Sequence, residues 1–318
     1  MEEMRSLWRW LDANGFDWIS AWDHIYEAPN QGGVIPHFEA VATLAGLACD
    51  TANARLGCLV FYVGYRNPGL LAKAAITIDH LSGGRFELGL GGGWHQWEAD
   101  AYGYDFPRVG VRLDMLAEAT ELISGLLGDE SPAPVHDDDV EARRPDPRRV
   151  SFVGEHFGLN DASCLPPPVF GRLPLWIGGL GRNRTLPLAA QWADGWNAAY
   201  VSDSHFADLN KHLTGLCEQR GRNPNEIERS VNLIFAVGSD QATAERIEGD
   251  VAAAWGPMFE RVRGGTLLGT PERVTETVLR YVDAGADMVN IALRHPFDSE
   301  ALDAYQEVVM STVRAERG

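Results

Sequence analysis

The chain has 318 residues, 45% hydrophobic and 23% charged, so it is long and apolar enough to bury a large core. Its net charge of −18 gives a surface that repels nucleic-acid phosphates and anionic membranes. The four cysteines form no C-x-x-C pair, which argues against a disulfide framework or a zinc site. The sequence has neither a signal peptide nor a run of about 18 apolar residues. We therefore expect a cytoplasmic protein that has reduced cysteines and binds no metal, nucleic acid or membrane.

Short β-branched or aromatic runs alternate with longer segments of helical periodicity, which indicates a parallel sheet with crossover helices. The chain opens on a helix whose apolar positions, from Met4 to Leu11, recur every three or four residues, and Asn14-Gly15 ends it. The elements predicted next are a strand at 17–21, a helix at 37–50, a strand at 55–61, a helix at 68–81, a strand at 85–90 and a helix at 109–127.

Residues 129–168 interrupt this alternation, because they are rich in Asp, Pro and Arg. They predict an insertion that carries a short hairpin at 150–159, without forming a domain of their own. The elements predicted after the insertion are strands at 175–177, 195–199, 231–237 and 288–293, and helices at 184–193, 203–220, 241–255, 271–284 and from Ser299 onward.

These predictions give seven strands where a (β/α)8 barrel has eight. We therefore predict one α/β domain over residues 1–318, a (β/α)8 TIM barrel with the insertion after its fourth strand. The missing strand would precede the first helix, so either the start codon has been placed too far downstream or the chain lacks its first strand.

Because active sites of such barrels lie at the carboxyl ends of the strands, the residues that follow each strand are the candidates. The first strand ends in Trp22-Asp23-His24. An indole suits stacking, and an imidazole with a carboxylate beside it suits proton transfer near neutral pH. The alternative is a surface turn in which Asp23 caps the next segment. The position at a strand end favours the catalytic interpretation, in which Asp23 orients or charges His24.

A glycine run, Gly91-Gly92-Gly93, follows the strand at 85–90 and leads into Trp94. Glycine lets a flat ring or a phosphate lie directly on the backbone. The run lacks the G-x-G-x-x-G spacing of dinucleotide-binding folds, so we reject that fold. His95 and Glu98 are two candidate metal ligands without a third, which is weak support for a metal site.

A second glycine-rich segment, Gly178-Gly179-Leu180-Gly181-Arg182-Asn183, joins a strand to a helix. The free N–H groups and the dipole of a helix N-terminus bind anions, and Arg182 and Arg184 add positive charge. The alternative is an ordinary strand-to-helix turn, but three glycines and two arginines favour a phosphate site. Arg66, after the strand at 55–61, is a further candidate for an anionic ligand.

The ordered set of motifs resembles the luciferase-like oxidoreductases that use a flavin or coenzyme F420. The resemblance covers almost the whole chain, although each motif alone is common. The motifs that carry it are Gly15-Phe16-Asp17, Asp23-His24, Arg66-Asn67-Pro68, Leu71-Ala72-Lys73, Leu81-Ser82-Gly83-Gly84-Arg85, Gly89 to Trp94, Glu98, Tyr102-Gly103, Pro174-Leu175-Trp176-Ile177-Gly178-Gly179, Ala193-Asp194-Gly195-Trp196-Asn197 and Gly269-Thr270-Pro271-Glu272.

The resemblance implies a cofactor that lies across the strand ends, against Trp22 and Gly91 to Trp94, with its phosphate at Gly178 to Asn183. It also implies a homodimer. Many members have a non-prolyl cis peptide beneath the ring, which here would fall within Cys58-Leu59-Val60, at the first or the second of its two bonds. In the sugar-phosphate dehydrogenases of the family a catalytic Glu follows the glycine run, whereas this chain has Trp94. The resemblance therefore does not support a sugar-phosphate substrate.

The leading hypothesis is coenzyme F420-dependent hydride transfer to or from a small organic substrate, with His24 giving or taking the substrate proton. The alternative is an FMN-dependent monooxygenase that reacts with O2 and depends on a flavin reductase partner. The Asp23-His24 pair and the Trp94 loop favour the deazaflavin cofactor. A third hypothesis is a non-enzymatic cofactor carrier or degenerate barrel, because a missing strand would expose two sheet edges.

Overall fold

The structure, a computed structural model, describes residues 1–27, 33–128 and 149–317. Tertiary contacts divide the chain into two compact units: unit 1 is Met1–Ile25 with His37–Trp176, and unit 2 is Tyr26–Pro36 with Ile177–Gly318. The helices are α1 Glu2–Ala13, α2 Ala40–Asp50, α3 Pro68–Ser82, α4 Gln96–Ala101, α5 Val109–Leu127, α6 Thr185–Trp192, α7 Asp203–Gln219, α8 Gln241–Trp255, α9 Phe259–Val262, α10 Pro271–Asp283, α11 Ser299–Ala304 and α12 Ser311–Arg317. The strands are β1 Trp18–Ala21, β2 Arg55–Cys58, β3 Phe61–Tyr62, β4 Phe86–Gly91, β5 Val150–Val153, β6 Gly158–Ala162, β7 Leu175–Gly178, β8 Gly195–Ala199, β9 Glu228–Val237, β10 Thr266–Gly269 and β11 Met288–Ala292.

Unit 1 is built on parallel strands in the order β1, β2, β4 and the start of β7, with β3 also paired to β4. All six residues of β4 are buried, as expected for a central parallel strand that is covered on both faces. Helix α2 packs against α1 and α3. Helix α1 is amphipathic: Trp8 and Leu11 are buried, while Glu2 and Glu3 begin it on the solvent side.

Local sequence signals explain where α3 begins and ends. The side chain of Asn67 accepts hydrogen bonds from the N–H groups of Gly69 and Leu70, and Pro68 occupies the first helical turn. At the other end Gly83 has φ 69°, a left-handed conformation, and its N–H donates to the carbonyl of Asp79. The helix lies within one residue of its predicted range.

Unit 2 contains the end of β7 followed by β8 and β9, all parallel. Both β10 and β11 pair with β9: β11 pairs with residues 230–234 and β10 with residues 234–237. Strand β10 is absent from the sequence prediction, because Thr266–Gly269 is short and is bounded by glycines. Helices α6 and α7 pack against each other.

The structure corrects the predicted strand at 55–61. A cis peptide bond between Leu59 and Val60 separates β2 from β3, and it lies at one of the two bonds that the family resemblance implied. The short helix α4, like strand β10, is absent from the sequence prediction, because its hydrophobic periodicity is too short to indicate a helix.

Other predicted elements lie close to their expected positions. In the described residues no strand precedes α1. The hairpin of the insertion is present as antiparallel β5 and β6, while residues 129–148 of the insertion lie outside the described part of the chain. Within that described part, no helix combines the length and the apolar composition needed to cross a bilayer.

Candidate active site

The segment Trp22-Asp23-His24 follows the end of β1 in unit 1. Successive side chains of an extended segment point to opposite sides, and the three residues differ in burial accordingly. The side chain of Asp23 is buried, with 6% of the residue exposed, whereas Trp22 and His24 are half-buried.

The carboxylate of Asp23 serves a different partner from the one expected. It accepts a hydrogen bond from the guanidinium of Arg66 at 2.6 Å and another from the backbone N–H of Tyr62 at 3.1 Å. Burial raises the pKa of Asp23 to about 6, although the hydrogen bond and charge of Arg66 oppose this shift. Arg66 also pairs with Glu39. The expectation that Asp23 orients His24 is therefore wrong, and Arg66 is engaged by two protein carboxylates.

The partner of His24 is Glu98, on the short helix α4. Nδ1 of His24 lies 2.7 Å from Oε1 of Glu98, and the N–H of Ile25 donates to Oε2 at 2.9 Å. Glu98 is buried, with 2% of the residue exposed. Burial raises the pKa of Tyr65, and the charge of Glu98 adds to this shift. The sequence prediction missed this role because it lacked α4, and the chemical role it considered for Glu98 was that of a metal ligand.

Aromatic rings surround His24. The ring centroid of His24 lies 5.8 Å from that of Trp22, 5.3 Å from that of Trp94 and 5.6 Å from that of His95. The indole N–H of Trp22 donates to Nε2 of His37 at 3.2 Å, which fixes one of these rings. Trp94 is 50% exposed, so a large aromatic surface beside the imidazole faces solvent.

His95 has a structural role. Its Nδ1 accepts a hydrogen bond from the N–H of Glu98 at 3.4 Å and so caps α4. Burial lowers the pKa of His95, while the charge of Glu98 opposes this shift. Within the described residues, no three His, Cys, Asp or Glu side chains form a group that could hold a metal ion.

The glycine run is shaped by packing within unit 1. Gly91 is the last residue of β4 and pairs with Tyr62 of β3. The carbonyl of Gly92 accepts a hydrogen bond from Nε of Arg112 at 3.0 Å. Gly93 has φ 66°, and a Cβ there would lie 2.5 Å from the ring of Tyr62. The need for glycine at position 93 thus arises from Tyr62 and the backbone conformation, with no ligand required.

The three residues at the break between β2 and β3, Cys58, Leu59 and Val60, differ in burial. Cys58 is fully buried, and burial raises the pKa of its thiol well above the usual value. Leu59 is also buried, and its N–H donates to the carbonyl of Ala21 at 2.9 Å. Val60 is half-buried. The thiol of Cys58 therefore belongs to the core, and the backbone of this segment is the part that suits a ligand contact.

The predicted phosphate segment lies in unit 2, between β7 and α6. Gly178 ends β7, and the N–H of Gly179 donates to the carbonyl of Asn197 at 3.0 Å. The carbonyl of Gly181 accepts from the N–H of Leu186 at 3.0 Å, which folds the segment into the first turn of α6.

The remaining residues of this segment, Leu180, Arg182 and Asn183, lie between half-buried and exposed positions. The guanidinium of Arg182 pairs with Asp208 of α7, so its charge is balanced within unit 2. The segment joins a strand to a helix, as predicted. The charge of Arg182, which was expected to attract an anion, is instead paired with Asp208.

Comparisons with known proteins show the family and the fold of this chain. The chain matches the family model of luciferase-like monooxygenases over residues 1–257. An F420-dependent glucose-6-phosphate dehydrogenase of Kineococcus radiotolerans is 28% identical over 230 residues, which are 71% of this chain and 61% of the relative. The chain thus spans about three fifths of that relative's length. A protein of the same name from Nocardia farcinica is 24% identical over 334 aligned positions, covering 96% of this chain and 91% of the relative.

A solved structure extends the comparison to the fold. An F420-dependent secondary alcohol dehydrogenase, in complex with an F420-acetone adduct, superposes with a TM-score of 0.79. It is 18% identical and covers 98% of this chain and 95% of its own, so the likeness concerns the fold. The predicted luciferase-like TIM barrel is confirmed. With most of its length matched by the family model, this chain belongs to the luciferase-like monooxygenase family.

Proposed function

We propose that this protein is an oxidoreductase that uses coenzyme F420 for hydride transfer to or from a small organic substrate. The observation that carries the proposal is the position of His24 between two indoles, Trp22 and Trp94, with a buried carboxylate on its Nδ1. An imidazole that is hydrogen-bonded to a buried carboxylate is suited to moving a substrate proton. The F420-dependent relatives support the choice of cofactor.

The residues of unit 1 fit a flat, partly apolar ring. Trp94 presents a half-exposed aromatic face on which a flat ring can stack. Val60 and the backbone of Cys58 and Leu59 supply a second, largely apolar contact. When bound, coenzyme F420 supplies the centre that accepts or donates the hydride. The protein contributes orientation of the substrate and a group that moves its proton, His24.

The phosphate of the cofactor has a separate candidate site in unit 2, at Gly178 to Asn183. The half-buried and exposed residues of this segment precede the N-terminus of α6, where the helix dipole favours an anion. Because Arg182 is paired with Asp208, we attribute the anion affinity of this segment to backbone N–H groups.

We further propose that the substrate carries no phosphate. The relatives named for glucose 6-phosphate share the family, but Trp94 stands where the resemblance places their catalytic Glu. In the strand-end loops of unit 1, the guanidinium of Arg66 is engaged by Asp23 and Glu39. An uncharged alcohol or carbonyl compound is compatible with these ion pairs, whereas a phosphate would have to displace a carboxylate.

The alternative cofactor is FMN, and the monooxygenase description of the family favours it. A flavin reductase would then be the partner that supplies reduced FMN. The residues of unit 1 described above offer an aromatic face to either ring, so the two cofactors must be separated by measurement.

The test is a titration of the protein with oxidised coenzyme F420 and, separately, with FMN, followed by tryptophan fluorescence. We expect F420 to quench the fluorescence and to bind at least about tenfold more tightly than FMN, a difference of about 1.4 kcal/mol. Trp94→Leu should lose much of the quenching, while Trp10→Leu, a change in α1, should keep it. Tighter binding of FMN would contradict the choice of coenzyme F420 and favour an FMN-dependent monooxygenase.

We also propose that the protein forms a single domain over residues 1–318, that it is a homodimer, and that it is located in the cytoplasm. The family resemblance supports the first two. All four cysteines are free thiols, which agrees with a reducing compartment. Sedimentation equilibrium at micromolar concentration tests the dimer, and a monomer mass there would contradict it.

A further inference from the structure

We propose that Glu98 is a positioning residue that holds His24 as its Nδ1–H tautomer and leaves Nε2 as the atom that exchanges the substrate proton. The use of Nε2 in catalysis rests on the proposed function. The tautomer itself is a property of the free protein and does not depend on that function.

The geometry around Glu98 carries the inference. Oε1 of Glu98 lies 2.7 Å from Nδ1 of His24, and Oε2 accepts from the N–H of Ile25 at 2.9 Å. The side chain of Glu98 also hydrogen-bonds that of Tyr65. An ionised carboxylate only accepts hydrogen bonds, so Nδ1 must carry the proton. The nitrogen that hydrogen-bonds to the protein fixes the tautomer of the ring. The side chains of Glu98 and His24 are only 3% and 15% exposed, so water competes little for this bond.

The other titratable groups around this pair leave the assignment intact. Burial raises the pKa of Tyr65, so its phenol stays protonated beside Glu98. Burial lowers the pKa of His95, whose Nδ1 already accepts from the N–H of Glu98, so it is neutral at pH 7. Asp23 is held by Arg66. The charge that faces the His24 ring through a hydrogen bond is therefore that of Glu98.

The tautomer gives each direction of the reaction a defined proton path. In oxidation a bound cofactor would accept the hydride of the alcohol carbon, and Nε2 would take the hydroxyl proton, so that the alcohol becomes a carbonyl. The resulting imidazolium is stabilised by the Glu98 carboxylate on its other nitrogen. In reduction the same proton returns from Nε2 to the carbonyl oxygen.

The test is ¹⁵N NMR of the full-length protein, with the imidazole signals of His24 assigned by their loss in His24→Gln. We expect a protonated Nδ1 and an unprotonated Nε2 in the wild type at pH 8. Glu98→Gln should invert the tautomer. The backbone N–H of Ile25 can only donate, so it keeps the oxygen of the introduced amide as its partner. The NH2 group of the amide then faces Nδ1 of His24, which accepts this hydrogen bond once the ring proton has moved to Nε2.

Two control variants separate positioning from general loss of packing. Asp23→Asn makes the same chemical change beside His24 and should leave the His24 tautomer unchanged. Glu118→Gln alters another carboxylate that accepts backbone N–H bonds, those of Glu155, His156 and Phe157, and should leave both the tautomer and turnover unchanged.

The activity arm uses the F420-loaded enzyme. In the direction of alcohol oxidation, Glu98→Gln should lower kcat by about 10² or more with KM little changed, because the alcohol would meet an Nε2–H where it needs an acceptor. A protonated Nε2 on wild-type His24, or an unchanged tautomer in Glu98→Gln, would overturn the inference even if F420 binds. The expected tautomer without F420 binding would overturn the proposed function alone.

Discussion

At the scale of single residues, two neighbours in the chain serve different networks. Asp23 turns towards Arg66 and the backbone of Tyr62, while His24 turns towards Glu98. The first network holds the backbone of Tyr62 in β3, and the second holds the imidazole to which we assign proton transfer in the proposed function. A carboxylate and an imidazole that are adjacent in sequence thus need not form a pair.

His24 provides the first residue-scale prediction. His24→Ala should lower turnover with F420 by about 10² or more and leave F420 affinity nearly unchanged, because the imidazole moves a proton and does not hold the cofactor. Steady-state kinetics and the fluorescence titration measure the two quantities. His205→Ala, an exposed histidine at the start of α7, is the matched control and should behave as wild type. Unchanged turnover in His24→Ala would remove this residue from the mechanism.

At the scale of elements, the close approach of β4 to β2 shapes unit 1. A Cβ at Gly89 of β4 would lie 2.0 Å from the carbonyl oxygen of Cys58, a distance that real side chains do not adopt. Glycine at position 89, two residues before the run at 91–93, is therefore required by strand packing.

Substitution at this contact tests the point. Gly89→Ala should lower the free energy of unfolding by about 3 kcal/mol, because backbone must move to admit the methyl group. Gly110→Ala in α5, where a Cβ meets nothing within 4 Å, should be neutral or stabilising by less than about 1 kcal/mol. Urea denaturation measures both. Equal effects of the two substitutions would contradict the packing argument.

A second element-scale feature joins α1 to the end of α2. The carboxylate of Asp50 accepts hydrogen bonds from Arg5 at 2.7 and 2.8 Å and from Arg9 at 3.0 Å. The hydrogen bond from Arg5 is the main reason that the pKa of Asp50 is lowered to about 2. Because Arg5 is 43% exposed, solvent screens the pair and its contribution to stability is small.

This pair predicts a pH dependence with a definite sign. The pKa of Asp50 is lower in the folded chain than its unfolded value of about 3.9, so the folded state binds fewer protons between these values. The stabilisation is present above about pH 4 and is lost as the pH falls through about 2. Asp50→Asn should therefore lower the urea midpoint at pH 7 and have a smaller effect at pH 3. A constant difference across this range would show that the charge of Asp50 is not responsible.

At the scale of the whole molecule, the dominant electrostatic property is the net charge of −18. Like charges at this density repel one another and destabilise the compact state. Many of the ion pairs are largely exposed, such as Arg246–Asp250 and Arg149–Asp161, and pairs of this kind contribute little.

Salt should therefore stabilise this protein. Raising NaCl from 10 to 300 mM shortens the screening length from about 30 Å to less than 10 Å and weakens the long-range repulsion first. We expect the Tm to rise over this range at pH 7.5. A fall in Tm would mean that the ion pairs outweigh the repulsion.

The sequence by itself determined the order of most elements and the fold class. Periodicity, caps and turn residues are local signals, so α5 lies at its predicted range 109–127 and α3 within one residue of its own. The alternation of strands and helices then restricts the chain to a parallel α/β fold. Elements with weak local signals, α4 and β10, were missed because six and four residues carry too little periodicity.

Tertiary structure alone decided the partners within the site. His24 and Glu98 are 74 residues apart, and Asp23 and Arg66 are 43 apart, so no local pattern could pair them. The sequence placed Asp23 and His24 at the strand end but could not say which carboxylate faces the imidazole. That choice depends on how the side chains alternate after β1 and on where α4 packs, which only long-range contacts determine.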